Sequence, residues 1–328
     1  MNPVNAWRPV ATPAALRSRA AMLASARKFF ADRDILEVET PLLASSAVTD
    51  PHIQSIALRV QDSKLWLRTS PEYHMKRLLA ANPQDIYQIG KVFRDGESGL
   101  QHQPEFTMIE WYRLDFGMPE MINETCALIR RLSQHGELQI PAHKTVRYAD
   151  AFQQACGLNP LTATLAEVRS TAQSMLKDIL DEQLLQKIGD DRAGWLDLLV
   201  SHIVNPSLGN DVLHVIIDYP AEQALLARLH PDNDAIAERF EVFFNGIELA
   251  NGYCELRNAS EQARRFQTDN ERRQALGLSH VAADDALLAA LESGLPACAG
   301  VAVGLDRLQM LAFQHDSIAA TLSFLPGS

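Results

Sequence analysis

Residues 239–256 read RFEVFFNGIELANGYCEL, and Asn245-Gly246 divides them into two apolar-rich runs. Asn-Gly between such runs is the strongest short-range signal for a two-residue hairpin, because both central residues of its turn take positive φ. That turn pairs Phe244 with Ile247, Phe243 with Glu248 and Glu241 with Ala250. Side chains alternate faces with period two, so Glu241 and Glu248 share a face as diagonal neighbours, roughly 5–8 Å apart. Two carboxylates that close repel unless something lies between them. Either the face is exposed and both are solvated, or a hard divalent cation such as Mg2+ joins them, usually with phosphates in attendance.

The rest of the chain sets bounds on that choice. Its 328 residues are 47% hydrophobic, enough for a large core in one big domain or two modest ones. Acidic residues outnumber basic ones by 41 to 30, a net charge of −11, which disfavours extensive nonspecific contact with nucleic acid. Cys126, Cys156, Cys254 and Cys298 show no CxxC spacing, so neither a disulfide framework nor a zinc site is indicated. The opening MNPVNAWRPVATP lacks an apolar signal core, and no run of about 18 apolar residues occurs. A cytoplasmic protein without a membrane partner is the expected setting.

Thr12-Pro13 is an N-cap followed by a first-turn proline, and Leu16, Leu23, Ala26 and Phe30 recur at helical spacing. ILEVETPLL (35–43) reads as a strand closed by Pro41, and residues 44–52 as a loop. Residues 53–60 and 65–69 form a strand pair, and Ser70-Pro71-Glu72 opens a capped helix. Strands at 86–93 and 106–113 flank the polar loop RDGESGLQHQPE, and 118–135 is helical. Residues 148–206 are mostly helical, 212–217 return to strand, and a short helix is expected over 221–229. Helices over 261–276 and 284–292 precede a strand over 298–305. Strands in adjacent runs with helices grouped between them favour an α+β antiparallel sheet flanked by helices. No GxGxxG or GxxxxGK[ST] supports a Rossmann or P-loop site.

Two further segments bear on the glutamate pair. In VFRDGESGLQHQPEFTMIEWYR (92–113), Arg94 ends a strand beside a polar loop, where its planar fork suits a phosphate and a surface ion pair is the commoner alternative, while Met108, Glu110 and Tyr112 share a strand face. In GVAVGLDRLQML (300–311), Arg307 lies in the first turn of a helix, where a cation gains nothing from the helix dipole, so an anionic partner is expected. An ion-pair network through Asp306 is the alternative.

With ILEVETPLL, these segments resemble the three ordered motifs of class II aminoacyl-tRNA synthetase catalytic domains. TSPEYHMKRL, PEFTMIEWY and GIELANGYCEL are similar to lysyl-tRNA synthetases in particular, and the likeness spans nearly the whole chain. Only about a dozen residues precede the first helix, so a single catalytic domain over 1–328 without an N-terminal OB-fold anticodon-binding domain is expected. A stand-alone lysyl-type domain resembles the class II ligases that attach (R)-β-lysine to a lysine ε-amine of elongation factor P.

The resemblance implies ATP and Mg2+ as cofactors, with Arg94 on the α-phosphate and substrate carboxylate and Arg307 on the γ-phosphate as the catalytic pair. Glu241 and Glu248 would bind the metal, Glu248 also serving the nucleotide. Glu97, His102, Glu105 and Phe106 would contact ATP. Glu72, Glu110, Tyr112, Asn251 and Glu255 would line the amino-acid pocket, with Glu255 on the distal ammonium. Elongation factor P would be the protein substrate, with (R)-β-lysine or lysine as the amino acid. A homodimer formed near ILEVETPLL is implied, and stable tRNA binding is not expected. A truncated lysyl-tRNA synthetase and a catalytically inactive lysine-sensing paralogue are the competing readings.

Parity poses a difficulty here. Glu248 and Glu255 are seven apart and should face opposite ways, so a bulge or kink near Ala250-Asn251-Gly252 must bring them together. The chain also departs from the lysyl pattern. FRDGE places Gly96 where a nucleotide-contacting glutamate is usual, with Glu97 as its substitute. Gln103 replaces an asparagine, Gln101 stands where arginine is common, and Ala302 stands where the third motif has glycine.

Overall fold

The computed structural model describes residues 7–210 and 212–326. The first six residues of the opening segment lie outside that range. The strands in chain order are β1 (Leu36–Glu37), β2 (Leu43–Ala44), β3 (Ala57–Val60), β4 (Ser63–Leu67), β5 (Ile86–Phe93) and β6 (Glu105–Leu114). They continue with β7 (His143–Arg147), β8 (Leu213–Pro220), β9 (Leu229–His230), β10 (Asn233–Phe244), β11 (Ile247–Cys254) and β12 (Cys298–Gly304). Helices are α1 (Pro13–Ala31), α2 (Glu72–Ala81), α3 (Met118–Ser133), α4 (Tyr148–Cys156), α5 (Leu165–Met175) and α6 (Glu182–Ile188). After them come α7 (Arg192–Leu199), α8 (Asn205–Ser207), α9 (Ala259–Ala275), α10 (Asp285–Gly294) and α11 (Leu305–Ala312).

A sheet ordered β1-β5-β6-β12-β11-β10-β8-β7, with β9 beside β10, forms the body, and β2-β4-β3 form a small second sheet. All pairs from β5 to β8 are antiparallel, whereas the edge pairs β1–β5 and β7–β8 are parallel. The expected antiparallel sheet is therefore mixed at its margins, where helical segments carry the chain between the paired strands.

One face of this sheet is apolar. Ile109, Trp111, Val242, Ala299, Val301 and Val303 pack there against α1, α3 and α11. The other face is covered only at its flanks. Helices α4, α5 and α7 bury Ile216, Tyr219 and Phe243 on one side, and α2, α9 and α10 bury Ile86, Tyr112 and Cys298 on the other. Local chemistry fixes several ends. Thr12 Oγ1 accepts from the Ala15 N–H at the start of α1, and Asn258 Oδ1 accepts from the Glu261 N–H at the start of α9.

The hairpin differs from the sequence expectation in one decisive way. Asn245 and Gly246 take φ of 52° and 71°, and Phe244–Ile247 and Phe243–Glu248 pair as expected. Beyond them the register shifts: Val242 pairs with Ala250, and Glu241 pairs with Asn251 rather than Ala250. Leu249 is the extra residue, and it turns inward with Ala250 to the apolar core, at 1% and 2% exposure. The bulge thus lies one residue ahead of the segment expected to hold it. Gly252 is an ordinary ladder position opposite Phe240 and Val301.

Other expectations change as well. ILEVETPLL does not form one strand: β1 ends at Glu37 in the large sheet, and Leu43 begins β2 in the small one, with Pro41 between them. The helix expected over 221–229 is a short 3-10 turn, Ala221–Gln223, cut off where Leu225 takes a φ of 49°. Strand β10 begins at Asn233, and β7 lies where the sequence gave no strand signal. No helix among the described residues is long and apolar enough to cross a membrane.

A Cβ on Gly252 would stand 2.5 Å from the Phe240 ring and 3.0 Å from the Gly300 carbonyl oxygen, neither of which can retreat within a paired sheet. Gly252→Ala is therefore expected to lower stability by roughly 1–3 kcal/mol in urea titration. Gly99→Ala, where a Cβ meets nothing within 4 Å, should leave the midpoint unchanged.

Candidate functional site

Because of the bulge, Asn251 and Tyr253 join Arg239, Glu241 and Glu248 on the open face of the sheet, and the face continues through register. Asn251 pairs with Ala302 and Ala302 with Glu110; Tyr253 pairs with Gly300 and Gly300 with Tyr112. A cavity of about 760 Å³ lies over this face, walled by α2, α9, residues of α7 and the loop 44–55. Every residue assigned to the site from sequence lines it except Glu105. Glu105 is a correction: in β6 it has the parity of Thr107 and Ile109, not of Phe106 and Met108, and its carboxylate meets Lys91 Nζ at 3.2 Å on the surface.

One end of the cavity is cationic. Arg94 follows β5, its guanidinium 5.2 Å from the Phe106 ring centre and 3.4 Å from Glu97 Oε1. Gly96, at φ 76°, forms the turn that brings Glu97 there, the position where its neighbour was expected. Arg307 donates to the Glu248 carbonyl at 3.1 Å and to the Gln101 carbonyl at 3.3 Å, and lies 3.5 Å from Glu248 Oε2. Its Nη2 is 2.5 Å from His102 Nε2. Burial, then Arg307 itself, holds the His102 imidazole below its usual range, so the ring accepts as the neutral form. Asp306 is not part of this group: it is buried, accepts from the Thr107 N–H, and pairs with Arg19 at 2.6 Å.

The middle is held by residues that sequence reasoning missed. Glu241 is 9% exposed, its Oε2 accepting from Tyr219 Oη at 2.6 Å and its Oε1 held by Arg239. Arg239 also donates to the Gln223 carbonyl at 2.8 Å and reaches Asn251 Oδ1 at 3.3 Å. Burial pushes the Glu241 carboxyl up to about 7, against the pull of Arg239 and with the help of Glu248. The two glutamates do face one cavity, but one is buried and paired while the other is half-exposed.

The far end is acidic. Glu110 is 3% exposed, accepting from Ser70 Oγ and Tyr112 Oη, each at 2.8 Å. Burial, then Glu72, pushes its carboxyl up to about 7. Glu255 is 2% exposed and pushed up to about 8 by burial, Lys76 opposing and Glu72 assisting. Lys76 Nζ lies 2.7 Å from Glu72 Oε1 and 2.5 Å from Glu255 Oε2. The only sequence sign of Lys76 was its i,i+4 spacing from Glu72, which a surface pair shows equally. Gly300 keeps this end open, since a Cβ there would stand 2.4 Å from the Tyr112 ring and 2.5 Å from Glu255 Oε1. A cavity with guanidiniums at one end and buried carboxylates at the other suits a ligand anionic at one end and cationic at the other.

Comparison with known proteins gives a consistent result. The sequence model of the family described as tRNA synthetases class II (D, K and N) matches residues 4–326. A protein of Mannheimia succiniciproducens named elongation factor P–(R)-β-lysine ligase is 44% identical, over 97% of this chain and 97% of that protein. Proteins of the same name from Vibrio cholerae and Haemophilus influenzae are 42% and 41% identical, over 97% and 99% of this chain.

Arg239→Met would leave Glu241 buried without its cation, an arrangement that costs roughly 3–5 kcal/mol. The Glu241 carboxyl, already raised, rises further, so stability tied to its protonated form is lost as pH climbs through neutrality. The loss relative to the parent should be larger at pH 8 than at pH 5.5, measured by urea unfolding. Equal losses would remove Arg239 from the charge balance.

Proposed function

The chain belongs to the class II tRNA synthetase family, and on that premise we propose that it activates (R)-β-lysine with ATP as an adenylate and transfers the acyl group to a lysine ε-amine of elongation factor P. The observation that carries this reading is the likeness to ligases of that name over nearly the full length of both chains. The cavity supports it, with arginines for phosphates and a carboxylate at one end and glutamates for ammonium groups at the other.

In the first step a carboxylate oxygen of the amino acid attacks the α-phosphorus. The bond to pyrophosphate breaks as the acyl–phosphate bond forms. The carboxylate is already a nucleophile, so positioning and charge neutralisation do the work. Arg94 draws the attacking carboxylate and the α-phosphate together, and Arg307 neutralises the phosphate beyond. Glu241 and Glu248 fit Mg2+: both face the cavity, the half-exposed Glu248 offers free carboxylate oxygens, and each oxygen of Glu241 keeps a lone pair beyond its one donor. Bound there with the nucleotide, Mg2+ would supply further neutralisation of phosphate charge. In the second step the neutral amine forms the C–N bond, AMP leaves, and the amine loses a proton.

Ala302 stands between Asn251 and Glu110 in the ladder, half-buried on the cavity wall. Its methyl occupies the amino-acid end, where α-lysine and β-lysine differ by one carbon in the position of an ammonium. One methyl in a tight pocket discriminates by roughly 1–3 kcal/mol. Separately, Leu36, Leu42 and Leu43 are 47%, 43% and 40% exposed along ILEVETPLL, an apolar strip suited to covering by a second copy.

Pyrophosphate exchange should be driven by β-lysine, and labelled adenylate should pass its acyl group to elongation factor P rather than to tRNA. Transfer to tRNA alone would overturn the reading. Ala302→Gly should raise activation of α-lysine relative to β-lysine at least tenfold in the same assay, and an unchanged ratio would remove Ala302 from specificity. Light scattering at micromolar concentration should give twice the 36.4 kDa chain mass, and a monomer would rule out the dimer.

A further inference from the structure

Lys76 is a full lysine side chain at 1% exposure, and it does not line the cavity. It stands behind two residues that do, within ion-pair distance of Glu72 and Glu255. Isolated ammonium groups are not buried at such depth without strong compensation, so the position has a purpose beyond filling space. The surrounding charges show what it compensates. Glu72 lies on its own helix, Glu110 and Tyr112 come from β6, Glu255 and Arg257 follow β11, and Cys298 begins β12. Arg68, the other buried cation near Glu110, is spent on the carbonyls of Thr40 and Lys91 and the Thr40 hydroxyl.

Lys76 reaches Glu255 as an ion pair through Oε2; neither oxygen of that carboxylate has a hydrogen-bond partner, and no ion pair reaches Oε1. That oxygen lies where Gly300, itself on the cavity wall, lacks a side chain. One oxygen is therefore held from behind while the other is left for a ligand.

We propose that Lys76 is a positioning residue for amino-acid recognition: an enclosed cation that fixes Glu72 and Glu255 and presents the free oxygen of Glu255 to the distal ammonium of a diamino acid. This rests on the reading of the cavity as an amino-acid activation site, but not on whether the acceptor is protein or tRNA. Without Lys76, Glu72 and the buried Glu110 and Glu255 would face one another with no cation paired to them, since Arg68 is held by Thr40 and Lys91. Glu255 would then hold its proton to higher pH and offer an ammonium a neutral acid instead of an anion. The defect should be greatest at low pH and fade as the carboxyl ionises, because a substrate ε-ammonium near 10.4 stays charged throughout that range.

The test compares parent, Lys76→Met and Lys76→Arg by pyrophosphate exchange and by calorimetric binding of lysine, β-lysine and norleucine, from pH 6.5 to 9. Lys76→Met should raise KM for both lysines at least thirtyfold at pH 6.5 and distinctly less at pH 9. KM for ATP should stay within about twofold, and the preference for lysine over norleucine should collapse. Lys76→Arg, which restores the charge, should recover most of the affinity. If Lys76→Met does not fold by circular dichroism, Lys76→Gln makes the same comparison while keeping a donor for Glu255. Equal losses for ATP and lysine, or a penalty independent of pH, would mean that Lys76 only supports the fold and would overturn the inference. Lysine binding by the parent without transfer to elongation factor P would instead overturn the acceptor assignment and leave Lys76 standing. A parent that binds no diamino acid would end both.

Discussion

The structure depends on one extra residue in one strand. Leu249 has no partner in β10, and beyond it every side chain of β11 points to the face opposite the one that strict alternation assigns. Without that slip Asn251, Tyr253 and Glu255 would point into the apolar core beside Val242 and Phe240. With it they join Glu241 and Glu248 over the cavity. The bulge is held by apolar packing, since Leu249 and Ala250 both enter the core. A hydrophobic constraint on one face of the sheet thus fixes the polar constellation on the other.

The sheet separates structural from chemical work. Helices α1, α3 and α11 seal one face, while the two flanking groups of helices stop short of the centre of the other and leave the cavity. Charges enter this space at a cost, and each is answered. Arg239 and Tyr219 hold Glu241, Ser70 and Tyr112 hold Glu110, Lys76 holds Glu255, and Arg307 is tied to the strand turn at Glu248. Burial still raises the carboxyls of Glu110, Glu241 and Glu255, which leaves the acidic end short of positive charge. A ligand carrying ammonium groups relieves that shortage, so the electrostatics of the buried carboxyls favours such an occupant.

Much of this was legible in residues 239–256, 92–113 and 300–311. Asn-Gly fixes a turn by its local conformational demand, alternation fixes the shared face of Met108, Glu110 and Tyr112, and an arginine at a helix start points to an anion. These are short-range consequences of backbone geometry, and motif order then carries the class II resemblance. Sequence also required a bulge between Glu248 and Glu255, and placed it near Ala250-Asn251-Gly252 with Gly252 as the residue that would allow it. A glycine marks where backbone freedom exists, whereas the bulge fell at Leu249, where the core had room for a leucine.

What only the tertiary structure decided is which charges are buried and which meet. Lys76 and Glu72 have the spacing of a common surface pair, and nothing local says that Glu255, far along the chain, closes over them. Arg239 sits inside the stretch read most closely, yet its role follows from Tyr219 and Gln223 arriving on β8 and the turn after it. Glu105 carries the same kind of side chain as its neighbours in the second motif, and strand parity sends it to the surface. The sequence by itself determined the turn, the shared face of Met108, Glu110 and Tyr112, and the family. Burial and long-range pairing determined the site, because the energy of a charge depends on everything within a few ångströms of it and not on its neighbours in the chain.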